Sequence, residues 1–134
     1  MKARTLTWLC APLLALGLGA CGAAVSTGGF KGEQHAVAQA ISNLQKHVTA
    51  LEQKKVCSDD LASAVVARLN VAPGGCAKAI ETQMKEIDSF EVTVESVQIG
   101  GATATARVKS VHEGKSRVDT LKLVKEGGKW KISG

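Results

Sequence analysis

The hydrophobic period of this chain changes once, near Asp88, and that change constrains the fold more than any other feature. Before it, apolar residues recur at helical spacing; after it, they alternate with polar ones. A run of helices followed by a run of strands reads as α+β, with the helices laid on one face of an antiparallel sheet. The spacing predicts one long helix, two short ones and a four-stranded meander.

From Glu33 to about Lys55, Val37, Ile41, Leu44, Val48 and Leu51 form one stripe, while Gln39, Asn43, Lys46, Gln53 and Lys54 take other faces. His47 flanks the stripe and reads as packed or solvated. Ser58-Asp59-Asp60 offers side-chain acceptors and negative charge ahead of Leu61, Val65 and Leu69, which predicts a helix start. Ala72-Pro73-Gly74-Gly75 ends that helix. A third is expected from about Cys76 to Ile87, with Cys76, Ile80, Met84 and Ile87 on one side.

Beyond Asp88 the strand signal has one interruption. Phe90, Val92 and Val94 share a parity that Val97 and Ile99 break, so an extra residue is expected as a β-bulge near Glu95-Ser96. Gly100-Gly101 signals a two-residue hairpin into Ala102, Ala104, Ala106 and Val108. Turns near Glu113-Gly114 and at Gly127-Gly128 separate strands around Arg117–Val124 and Lys129–Ile132. Trp130 and Ile132 alternate with Lys129 and Lys131 and read first as core. The small side chains of Ala102, Ala104 and Ala106 either let a helix approach closely or leave room for a cavity. Together with Trp130 they are the candidate pocket lining.

Residues 1 to 20 have the layout of an export signal: Lys2 and Arg4, an apolar stretch from Leu6 to Ala20, then small residues. Leu18-Gly19-Ala20-Cys21 resembles the lipobox of bacterial lipoproteins. That resemblance implies cleavage before Cys21, a thioether-linked diacylglyceryl group on its sulfur, and a protein held on the outer side of the cell membrane. An uncleaved membrane anchor and a secreted form with Cys21 unmodified are the alternatives. Two or more acyl chains suffice for stable anchoring where one does not. Residues 21–32 then read as a glycine-rich tether whose ends lie on the order of 20 Å apart, and residues 33–134 as one domain.

Charge and cysteine usage follow from that division. The leader holds two of the 17 basic residues and none of the 12 acidic ones, which leaves 15 against 12, a net charge of +3. The basic excess lies beyond residue 90, where lysines on a strand face serve solubility or meet anionic headgroups. Nucleic acid is excluded as a partner by the extracytoplasmic address and the scarcity of aromatic side chains. Cys10 leaves with the leader, Cys21 takes the lipid, and Cys57 and Cys76 remain as an even pair. An oxidising compartment favours a disulfide between them, with reduced core cysteines or a metal site as alternatives. His35, His47 and His112 show no metal-ligand spacing, so no metal and no cofactor is expected.

A long amphipathic helix, two short helices and a meander ending in Gly127-Gly128-Lys129-Trp130-Lys131-Ile132 resembles the nuclear transport factor 2-like superfamily, a cone-shaped α+β fold. The cysteine pair around the second helix is similar to its lipid-anchored bacterial branch. Enzymes of the superfamily imply an acidic or histidine proton shuttle inside the cone, and its isomerases add a tyrosine, which this chain lacks altogether. Asp59 and Asp60 suit a helix cap, Asp88 a junction and Asp119 a strand face, while His112 sits beside a turn. No second catalytic candidate is paired with any of them by spacing, so no catalytic residue is assigned. The expected function is a membrane-tethered binding or accessory module for a small apolar ligand, an envelope component or a partner protein. A proton-transfer enzyme of isomerase or cyclase type and a structural subunit of an envelope assembly are the alternatives.

Overall fold

The computed structural model describes residues 29–87 and 90–134; the leader, Cys21 and Asp88 lie outside the described residues. The expected α+β architecture is present, with helices first and a four-stranded antiparallel meander after them. Phe30, placed in the tether by its neighbours, packs against the core.

Helix α1 spans Gly32–Thr49 and buries Val37, Ala38 and Ile41. It stops short of the predicted Lys55. Leu51 takes a left-handed φ of 56°, with its N–H on the Val48 carbonyl and the Glu52 N–H on the His47 carbonyl. Those two bonds are the Schellman pattern, which glycine normally closes. Leu51 leaves the apolar stripe and is 65% exposed.

The chain continues through a short helix α2, Gln53–Lys55, and a π-helical turn, Val56–Asp60. The expected cap at Ser58-Asp59-Asp60 is therefore not a cap. Helix α3 begins later, at Ser63, and the carboxylate at its start comes from Glu126, which accepts from the Ser63 N–H at 3.1 Å. Asp60 turns inward and is buried instead. Helix α4, Gly75–Met84, starts where Asn70 Oδ1 accepts the Cys76 N–H at 2.9 Å and ends before Ile87, which is exposed.

The sheet runs β1 (Glu91–Gly100), β2 (Thr103–His112), β3 (Lys115–Glu126) and β4 (Lys129–Ile132), in that spatial order. The β1–β2 register shifts between Val94 and Ser96, so Glu95 is the extra residue that the parity change requires. Gly100 pairs with Thr103, which moves the hairpin loop to Gly101-Ala102, one residue beyond the predicted pair. Ala102 is consequently an exposed turn residue and not part of the strand face.

One face of the sheet is covered by α1 and the π-turn, and Ile41, Val56, Ala106 and Leu123 meet there with almost no exposure. Alanine at 104 and 106 keeps that face low, and both residues are buried in the cluster. Two glutamines of α1 also close the outer edge of β1: Gln34 Nε2 donates to the Val97 carbonyl at 3.1 Å, and Gln45 Oε1 accepts the Val92 N–H at 3.3 Å. The opposite edge is closed at β4, where the Ala62 N–H reaches the Ile132 carbonyl at 2.8 Å. Neither edge is left as a free template for another strand at these positions.

Candidate functional site

Cys57 and Cys76 are joined as a disulfide, 6.2 Å apart at Cα, which fastens the π-turn to the first turn of α4. The turn it holds carries Asp60 into the interior. There Asp60 Oδ2 lies 2.7 Å from Nδ1 of His47, near the end of α1. When Asp60 is ionised its carboxylate accepts the Nδ1–H, and a neutral His47 ring then keeps Nε2 as an acceptor. Burial pushes the Asp60 carboxyl above its ordinary value, and the hydrogen bond from His47 opposes that shift. The sequence gives no sign of this pair: the two residues are 13 positions apart and meet only because the helix breaks at Leu51.

His47 lines an open groove of about 480 Å³ between α1, the π-turn and the start of β4. Gln39, Asn43 and His47 stand four residues apart on one face of α1 and form its wall. Gln39 Nε2 donates to Asn43 Oδ1 at 3.2 Å, so the amide nitrogen of Asn43 is left to donate elsewhere. Lys46, Asp59, Lys129 and Trp130 complete the polar and aromatic lining.

Trp130 is set by contacts on its far side. Its indole N–H donates to Glu33 at 2.8 Å, and the ammonium of Lys125 lies over the ring, 5.7 Å from its centroid. Lys125 also donates to Glu33 at 3.0 Å. These two donors, Lys125 foremost, hold the Glu33 carboxyl below its ordinary value.

The expected lining residues separate. Trp130 reaches the groove; Ala104 and Ala106 lie in the packed core, with Ala104 also at the rim of a second, more apolar cleft of about 510 Å³ on the β2–β3 side; Ala102 is in the hairpin loop. His112 and Glu113 form a loose exposed pair at 3.9 Å, and Asp119 is engaged by Arg117 at 2.9 Å. Among the described residues no group of three or more histidine, cysteine or acidic side chains could hold a metal. None of the described helices is long and apolar enough to cross a membrane.

Residues 75–133 match the model of a family described as "Putative lumazine-binding". That segment contains α4 and the sheet, and it supplies Lys129 and Trp130 to the groove while α1 and the π-turn lie before it. No curated protein matches the chain. Among solved structures, the chain is similar to Rd1NTF2_05 in a form carrying five substitutions, at 21% identity and a TM-score of 0.51, over 76% of this chain and 96% of that one. An NTF2-like protein of unknown function from Shewanella baltica OS155 is 18% identical, with a TM-score of 0.44 over 75% and 87% of the two chains. The de novo designed NTF2 fold protein NT-9 is 14% identical, with a TM-score of 0.47 over 72% and 80%. With its helices on one face of a β1-β2-β3-β4 meander, the chain has the nuclear transport factor 2-like fold.

Proposed function

We propose that this domain is a membrane-tethered, extracytoplasmic binding module that holds a small heteroaromatic molecule in the groove between α1 and β4. The observation that carries the reading is the lining itself: one indole beside a row of amide and imidazole side chains, the mixture that small-molecule sites use to fix orientation. The family description matched over residues 75–133 supports a ligand of the lumazine class. The lipobox-like run ending at Cys21 and the Cys57–Cys76 disulfide support the address, because such bridges persist in oxidising compartments.

Trp8 and Trp130 are the two tryptophans of the chain and Trp8 lies in the leader, so the processed protein that starts at Cys21 reports on Trp130 alone. Titration of that protein with lumazine is expected to change Trp130 emission saturably. An unchanged spectrum, together with no binding heat, rejects the ligand assignment. Mass spectrometry of protein purified from membranes tests the address: a diacylated Cys21 amino terminus is expected, and an intact leader without lipid rejects it.

The His47–Asp60 pair favours a second reading, a proton-transfer enzyme. An imidazole oriented by a buried carboxylate is the arrangement of a general base. The groove is open to solvent and has no tyrosine donor, which places binding ahead of catalysis. Exchange of an acidic carbon-bound hydrogen of a bound substrate with solvent deuterium, lost in His47→Gln, would reverse that order.

A further inference from the structure

We propose that the groove takes its ligand as an anion: a flat heterocycle presents an acidic imide N–H to Nε2 of His47, the proton passes to the imidazole, and Asp60 stabilises the imidazolium through Nδ1–H. This inference rests on the binding reading above and adds the chemistry of recognition. In the step, the ligand N–H bond breaks and its electron pair stays on the ligand nitrogen, while the Nε2–H bond forms. No other reactant is needed.

Two observations carry it. First, the buried Asp60 carboxyl lies 2.7 Å from Nδ1 of His47, so the ring is held through one nitrogen and Nε2 is the one left to meet a ligand. Nε2 has no hydrogen-bond partner among the described residues and is not sealed off, since no buried side-chain nitrogen or oxygen is left without one. Second, the lining holds donors suited to the carbonyls of an imide besides the imidazole that would take its N–H: the Asn43 amide nitrogen and the ammonium groups of Lys46 and Lys129.

The charged groups around the pair are Lys46, Lys129 and Asp59 in the lining, Glu52 engaged by Lys55 beyond the end of α1, and Lys131 of β4, which donates to the Ser58 carbonyl at 2.8 Å. Lys46 and Lys129 are the cations of the lining that an anionic ligand would meet.

The test uses lumazine and 1,3-dimethyllumazine, which has no acidic N–H, against the processed protein at a pH where free lumazine is neutral. Expected are the ultraviolet absorption of the lumazine anion in the complex and an affinity for the dimethyl compound lower by about tenfold to a hundredfold, the range of a hydrogen bond to a charged group. In His47→Gln the bound spectrum returns to the neutral form with a comparable loss of affinity. Asp60→Asn, which keeps an acceptor for Nδ1–H but removes the charge, also loses the anion spectrum; thermal melts of both variants check that they fold. Bound lumazine with a neutral spectrum, or equal affinity for the dimethyl compound, overturns the inference and leaves the binding reading standing. Absence of any lumazine binding removes both.

Discussion

Trp130 donates its indole N–H to Glu33 at 2.8 Å, joining the last strand to the first turn of α1 across 97 residues. The same carboxylate takes Lys125 from β3, so one acidic side chain orients both the indole and the cation above it. The groove wall at Trp130 is thus held from outside the groove.

Glu33→Gln should lower the melting temperature at neutral pH, because the charged acceptor of two donors is lost. The Glu33 carboxyl is held below its ordinary 4.5, so its stabilisation is fully present above that value and is lost as pH falls through the lower folded one. The melting difference between wild type and Glu33→Gln should accordingly close on acidification below pH 4.5. A difference that persists unchanged in acid contradicts the assignment.

Removing the disulfide should cost about 3 kcal/mol, the chain-entropy figure for a loop of this length. Urea unfolding of Cys57→Ser with Cys76→Ser measures it, and reduction of the wild type should give a matching loss. The π-turn is the element expected to loosen first, so the same variant should weaken ligand binding through Asp60.

Ala106→Leu should destabilise by about 1–3 kcal/mol, because its site on the sheet face has no exposure and no room for added methylenes. Ala102→Leu, in the exposed hairpin loop, should stay within about 0.5 kcal/mol of wild type. Denaturant midpoints of the two variants separate close packing from an internal cavity, which would accept the larger side chain at 106.

Leu51→Gly should stabilise by about 0.5–1 kcal/mol. The left-handed φ of 56° strains a leucine and suits glycine, and the exposed side chain contributes little burial to lose. A thermal melt showing destabilisation would mean that Leu51 makes contacts beyond those of the isolated chain.

Local chemistry determined much of this protein. The apolar spacing of Val37 and Ile41 specifies α1 and its buried face, and the parity change between Val94 and Val97 specifies a bulge at Glu95, because each depends only on the repeat of the backbone. The glycine turn at residues 127 and 128, with left-handed φ at both positions, is equally local. Other features needed the fold. Leu51 ends α1 without the glycine that would have announced it, and a Schellman turn closed by leucine carries no residue signature. Once the helix breaks there, the π-turn carries Asp60 inward to His47, and the cap expected of Asp60 passes to Glu126 from β3. Sequence spacing set the helices, strands and turns, since these arise from neighbours along the chain. The groove and its paired acid and base belong to tertiary structure alone, because burial of Asp60 and its 2.7 Å contact exist only where packing brings α1, the π-turn and β4 together.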